Sequence, residues 1–222
     1  MTATLIETIR VRNGTAPLWG LHLRRLVRSC RELGVPFPAE FAVPAGGADR
    51  VHRLEVTGRG GKARVSVSER RVGQTEPVRL VTSAVVHQPY PHKTTERRQF
   101  DEAAAEAARA GADDALLLTA AGLVAETSIW DVFWWEAGRL CAPALELGVL
   151  PGVARARIEE LTDLAGRREP RGALDGTPMF VANAVRGIVE VATLDGVPVP
   201  APGALGSAVE AAFAALRRQF WA

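Results

Sequence analysis

Lysine is nearly missing from this chain: of 27 basic residues only Lys62 and Lys93 are lysines, leaving 25 arginines (27 − 2). Arginine stays charged at any ordinary pH, so neutral-amine chemistry is confined to two positions. Lys62 lies in Gly58-Arg59-Gly60-Gly61-Lys62, a turn where a solvated cation needs no further reason. Lys93 has no such setting. Cysteine is equally scarce. Cys30 and Cys141 have no metal-type spacing and sit among apolar neighbours, which excludes a disulfide scaffold, gives no metal site and predicts buried free thiols. No apolar run reaches the roughly 20 residues that span a bilayer, and no basic segment followed by an apolar stretch opens the chain. The expectation is a cytoplasmic protein without a membrane partner. Charge of one sign is also lacking: the net value is +2, with no basic block or aromatic-basic stripe, so nucleic acid is not an expected partner.

What is present is apolar material. At 222 residues and 47% hydrophobic, the chain can fill one large or two modest cores. Leu5 to Val11 alternates as a strand and stops at Asn13-Gly14, and Leu23, Leu26, Val27, Cys30 and Leu33 fall at helical spacing from His22 until Gly34 and Pro36. Pro38 to Asp49 reads as a loop; Arg53–Thr57, Ala63–Ser68 and Val78–Val86 read as strands. Gln88-Pro89-Tyr90-Pro91 cannot continue a regular element, which places a domain boundary there: a small α+β domain over 1–87 and a larger one over 88–222. In the second, a helix over Phe100–Ala110 precedes strands at Ala115–Thr119 and Leu123–Glu126, and Ile129–Trp135 with Leu140–Ala142 completes a meander. A helix follows from Pro151-Gly152 to Gly166, carrying Ile158, Leu161 and Leu164 on one face. Strands at Met179–Asn183 and Gly187–Leu194 and a closing helix over Leu205–Phe220 end the pattern.

Three blocks in order carry a likeness: His92-Lys93-Thr94-Thr95-Glu96-Arg97, then Gly122-Leu123-Val124-Ala125-Glu126-Thr127-Ser128-Ile129-Trp130-Asp131-Val132-Phe133, then Leu150-Pro151-Gly152-Val153-Ala154-Arg155. With Glu7-Thr8-Ile9-Arg10 and His22-Leu23-Arg24-Arg25-Leu26, the set resembles the fold-type IV pyridoxal-phosphate enzymes, class IV aminotransferases and 4-amino-4-deoxychorismate lyases among them. The resemblance implies a two-domain α+β fold like that of D-amino acid aminotransferase, a homodimer, and pyridoxal 5'-phosphate as cofactor. Relatives begin with some two dozen further residues, so it also implies a shortened N-terminal domain.

Pyridoxal phosphate needs an amine, an acid opposite its pyridine nitrogen, and donors for its phosphate. By resemblance Lys93 is the amine and proton carrier, Glu126 the acid, and Arg25 a phosphate ligand, although Arg24, Arg28 and Arg31 beside it leave the sequence alone unable to choose. Helix physics adds the amides of Val153 and Ala154, which can face an anion at the start of the helix that Pro151-Gly152 opens. Thr8 is matched to a position that faces the site and could relay a proton. Arg97, in a Lys-x-x-x-Arg spacing, and the stretch Val181-Ala182-Asn183-Ala184-Val185-Arg186-Gly187-Ile188 resemble the lyase members. Arg97, Asn183 and Arg186 are therefore candidate substrate residues, arginine being suited to a dicarboxylate. The implied reaction is elimination of pyruvate from 4-amino-4-deoxychorismate to give 4-aminobenzoate in folate biosynthesis, with aminodeoxychorismate synthase as a candidate partner. The alternatives are a class IV transaminase of branched-chain, D- or other amino acids and a non-catalytic module that keeps the fold. Glu96 and Asp131 stand where relatives frequently have asparagine, which is expected to add negative charge near the lysine and the pyridine.

Overall fold

In the computed structural model, which describes residues 4–38, 49–59, 62–72 and 76–222, the alternation of Leu5, Glu7, Ile9 and Val11 becomes strand β1 (Thr4–Val11), with all four side chains buried. β1 pairs antiparallel with β2 (Arg50–Arg59), and β2 with β3 (Lys62–Arg71), in the order β1-β2-β3. Both of the latter are longer than the alternation predicts, because ladder hydrogen bonds extend past the apolar residues. Helix α1 (Trp19–Leu33) packs on β1, and its Leu26 and Cys30 form a core with Leu5, Val35 and Val56. It ends where Gly34 turns to φ 64° and donates to the Cys30 carbonyl, a conformation that glycine adopts without a Cβ penalty. Of the expected loop over Pro38–Asp49, residues 39–48 lie outside the described residues.

The remaining elements form a sheet of nine strands. β4 (Val78–Val86), α2 (Arg98–Arg109) and β5 (Asp114–Leu118) make a crossover: β4 and β5 are parallel, and α2 packs on both. After β6 (Val124–Thr127) come β7 (Asp131–Glu136) and β8 (Arg139–Pro143); helix α3 (Val153–Leu161) then returns the chain to β9 (Leu164–Arg167), parallel to β8. β10 (Met179–Asn183), β11 (Gly187–Leu194), the short β12 (Val197–Pro198) and helix α4 (Ser207–Gln219) complete it. The order is β6-β5-β4-β11-β10-β7-β8-β9, with β12 beside β11.

Four expectations are corrected. The domain line is not at 87/88: the compact units are Met1–Gln74 with His92–Arg97 and Trp221, and Thr75–Pro91 with Arg98–Phe220 and Ala222. β4 lies between β5 and β11, so its ladder bonds decide its unit, and the prolines at 89 and 91 only end the strand. Lys93 goes with the first unit, where Leu5 bridges Thr94, the Ile6 amide donates to the Lys93 carbonyl (2.8 Å) and the Thr95 amide to that of Thr4 (3.0 Å). The helix expected to reach Gly166 stops at Leu161, because Leu164 pairs with Leu140 as a strand. The meander is two hairpins, since β6 pairs with β5 while β7 pairs with β10 and β8. The closing helix begins only at Ser207, after Gly206 at φ 106° separates it from a short turn over Pro202–Leu205.

Cys30 and Cys141 are free and buried, as expected. The aromatic side chains of β7 and α4 pack within the second unit. Trp134 and Trp135 are buried, Trp135 meets Phe213 of α4 edge-on at 5.6 Å, and Phe180 stacks on Phe133 at 4.9 Å. Among the described residues no helix is long and apolar enough to cross a membrane. Phe180→Ala removes a fully enclosed ring from this stack and should lower stability by about 3–5 kcal/mol, read as a shift of the urea unfolding midpoint; a change below about 1 kcal/mol would mean that the neighbours refill the space.

Candidate active site

In the first unit, period-2 geometry places Glu7 in the apolar row of Leu5, Ile9 and Val11, facing α1. An ionised carboxylate there must be met by donors, and α1 supplies them at i and i+3, positions that share one helix face. The His22 Nδ1–H donates to Glu7 Oε2 (2.6 Å), and Arg25 clasps the same carboxylate through Nε (2.9 Å) and Nη2 (2.6 Å). Burial alone would raise the Glu7 pKa, but the Arg25 charge and the hydrogen bonds from His22 and Arg25 outweigh it and bring it from 4.5 down to about 2. Burial is also the main cause that lowers His22, reinforced by the Arg25 and Lys93 charges. Lys93 is thus within electrostatic reach of His22. Its segment is tied on one side to β1 and on the other to α1, where His92 Nδ1 lies 3.1 Å from Ser29 Oγ. Thr8 belongs to the opposite face of β1 from Glu7 and is half-buried. Arg97 ends the same segment, half-buried.

The second unit holds Glu126 on β6, nearly enclosed. Its Oε1 accepts from His87 Nε2 (2.9 Å) and from the Leu150 amide (3.0 Å). Among the described residues its Oε2 takes no donor, and the side chain keeps 8% exposure. The strand order explains the pair: β6 and β4 flank β5, and His87 follows the last residue of β4, with its amide on the Leu118 carbonyl of β5. Beyond Glu126 the chain is turned by buried Asp114. Its carboxylate accepts from Thr127 Oγ1 (2.8 Å) and from the amides of Ser128 and Ile129 (both 3.3 Å). Burial raises the Asp114 pKa, against the pull of these donors. The loop before α3 is fixed as well, by the Tyr90 amide on the Gly148 carbonyl (2.7 Å) and by Gly148 itself, whose missing Cβ would fall 2.8 Å from that of Pro89.

Helix α3 opens with buried amides and a carboxylate close to them. Among the described residues the amides of Val153 and Ala154 have no partner, and both residues are buried. Such donors at the positive end of a helix call for an acceptor. Asp131 takes the next amide, that of Arg155 (3.1 Å), and its carboxylate lies so close to Gly152 that a Cβ there would fall 2.1 Å from Oδ2. The charge of Asp131 thus falls at the helix end. Arg155 is held by the Pro143 carbonyl (2.5 Å) and by Glu159 (2.9 Å).

Asn183 braces its own turn. Its Oδ1 accepts from the amides of Val185 (3.0 Å) and Arg186 (2.8 Å), and its Nδ2 reaches the Ile129 carbonyl, so the side chain is committed to its own turn. That turn sets Arg186 with its guanidinium 5.5 Å from the Trp130 ring centroid. The residues that sequence reasoning missed are His87, Asp114 and the buried pairing of Glu7 with His22. A histidine closing the apolar run Val85-Val86 was a signal for the first, whereas Asp114 is indistinguishable in sequence from Asp113, which pairs with exposed Arg79.

Because the folded-state pKa of Glu7 lies below its ordinary value, its stabilisation is complete above about 4.5 and is lost as pH falls towards about 2. Glu7→Gln should cost about 3 kcal/mol at neutral pH, as for a broken buried ion pair, and the gap from the wild type should close as pH is lowered through that window. Urea titrations at stepped pH measure it; a gap that stays constant would deny Glu7 its charge.

The family model of class IV amino-transferases matches residues 4–194. No curated protein matches the chain significantly. Among solved structures, a Legionella pneumophila protein that carries the provisional name 4-amino-4-deoxychorismate lyase is 23% identical, with a TM-score of 0.83 over 97% of this chain and 91% of that one. The branched-chain aminotransferase of Thermoproteus uzoniensis is 23% identical (TM-score 0.79; 96% and 84% covered). An aminotransferase of Brucella abortus bound to its cofactor PLP is 17% identical (TM-score 0.78; 96% and 87%). At these identities the structures share the fold, and the match over residues 4–194 supplies the family: the chain belongs to the class IV aminotransferases, enzymes that depend on pyridoxal phosphate.

Proposed function

We propose that this enzyme is a lyase that eliminates pyruvate from 4-amino-4-deoxychorismate, leaving 4-aminobenzoate, and that Lys93, Glu126, Arg25 and the amides of Val153 and Ala154 hold its cofactor. The observation that carries the cofactor reading is the pair of buried amides opening α3, without a partner among the described residues, which suits a phosphate dianion, while Oε2 of Glu126, without a donor among the same residues, suits a protonated ring nitrogen. Arg25, oriented by Glu7, adds a guanidinium. The turn at Asn183, which sets Arg186 over Trp130 in a stretch resembling the lyase members, supports the choice of reaction, with Arg97 as a second cation for a dicarboxylate.

When bound, pyridoxal phosphate supplies an electron sink for negative charge that develops on the substrate carbon. Lys93 Nζ takes the proton from the ring carbon that bears the amine. Its electron pair forms a ring double bond as the neighbouring C–O bond of the enolpyruvyl ether breaks. The departing oxygen gains a proton, and the enol becomes pyruvate. Glu126 holds a proton at the cofactor nitrogen, and Thr8 is the candidate for passing one on. The likeness to a branched-chain aminotransferase, at the same 23% identity, favours a second reading: a transaminase for branched-chain, D- or other amino acids.

Pyruvate release from enzymatically generated substrate, without an amino acceptor, separates the two; a half-reaction that leaves the cofactor as its amine would establish the transaminase. In both cases borohydride reduction of the loaded enzyme should label Lys93, and Lys93→Ala should lose the label and at least about 100-fold of activity, the scale of a missing acid–base group; label on Lys62 would move the site. Asp131 is a negative neighbour at the helix end proposed for the phosphate, so Asp131→Asn, which keeps an acceptor for the Arg155 amide, should tighten cofactor binding several-fold in fluorescence titration. Weaker binding would mean that the charge organises the loop rather than opposing the phosphate.

A further inference from the structure

His87 is fully enclosed, its side chain 0% exposed, with the Phe100 ring centroid 6.4 Å away and the backbone amide fixed on Leu118. Its Nε2 is bonded to Glu126 Oε1, while Nδ1 is buried with no partner among the described residues. A carboxylate can only accept, so Nε2 is the nitrogen placed to carry a proton towards Glu126, and Nδ1 has no acceptor among the described residues for a second one. An imidazole placed only to fill space would leave one nitrogen lacking a partner for no gain, where a leucine or phenylalanine would leave none. What the imidazole alone provides is a second donor, beside the Leu150 amide, on the same oxygen of Glu126.

We propose that His87 is a positioning residue that sets the basicity of Glu126, and through it the location of the proton shared with the cofactor's ring nitrogen. The inference rests on the role proposed above for Glu126. Two donors on Oε1 stabilise the anion and fix the plane of the carboxylate, so that Oε2 is the oxygen left to face a ligand. A proton between Oε2 and a pyridine nitrogen resides on the more basic of the two. With both donors present, Glu126 is the weaker base and the proton stays on the ring, where it makes the electron sink effective. With His87 removed, a nearly buried carboxylate keeps one donor, its neutral form gains, and the proton moves onto Oε2.

The test uses His87→Leu, which removes the donor, and His87→Gln, whose Nε2 amide can restore it. In the enzyme without cofactor, the carboxyl-carbon NMR titration of Glu126 should move upward by about one pH unit in His87→Leu, the scale of one charge-assisted hydrogen bond, and return in His87→Gln. In enzyme loaded with ring-15N-labelled pyridoxal phosphate, the nitrogen should resonate as pyridinium in wild type and His87→Gln and shift towards the unprotonated position in His87→Leu. Should His87→Leu fail to fold, the wild-type imidazole decides by itself: long-range 1H–15N spectra should show Nε2 protonated and Nδ1 bare. A proton on Nδ1, or a Glu126 titration unmoved in His87→Leu, overturns the proposal. A wild type that takes up no cofactor would overturn the functional reading instead, and the cofactor-free titration would still judge the coupling of His87 to Glu126.

Discussion

A carboxylate withdrawn from water has to be given donors by its own chain, and this requirement organises both units. Glu7 and Glu126 are each nearly enclosed, and each is answered by a histidine that is itself buried. Around Glu7 the answer comes from one helix face, which locks α1 onto β1 by charge as well as by the Leu26 and Cys30 packing. Around Glu126 it comes from two separate places, the end of β4 and the loop before α3, so the carboxylate holds together pieces that are distant in sequence. Removing either acid would leave buried donors unmet, and the cost of that is larger than the net worth of the hydrogen bonds themselves.

The same logic runs through the lesser acids. Asp114 gathers the hydroxyl and amides of Thr127 to Ile129, which breaks the expected meander and sends β7 to a different place in the sheet from β6. Asp131 takes an amide at the opening of α3 and leaves two others without a partner among the described residues. Gly152 leaves room there for that carboxylate, which would have to shift if a Cβ were added. A carboxylate at the helix end proposed for the phosphate is an uncomfortable combination, and Asp131 stands where the resemblance implies asparagine.

The scarcity of lysine made Lys93 stand out from composition alone, and the ordered blocks around Lys93, Glu126 and Pro151 carried the family and its cofactor. Element types were legible wherever periodicity and punctuation agreed, as for β10 and β11, whose limits match the pattern residue for residue, or α1 with Gly34 at its end. They failed where a partner strand outweighed a local pattern. Leu164 continues a helical stripe in sequence, yet its hydrogen bonds go to β8. Prolines at 89 and 91 look like a hinge, yet the strand before them is central to the larger sheet.

By itself, then, the sequence determined which residue types were present in which order, and from them the chemistry: one distinctive amine, an acid downstream of it, and a helix opening suited to an anion. Tertiary structure alone decided which polar atoms are spent and which remain. Asn183 was spent on its own turn, the tryptophans on the core, and one oxygen of Glu126 on His87 and Leu150, leaving the other oxygen available. The reason is that hydrogen bonds and burial are settled between residues 39, 24 or 15 positions apart, as in His87 with Glu126, Leu150 with Glu126 and His22 with Glu7. No local pattern in the chain records such a pairing, because only the folded sheet order brings the partners within reach.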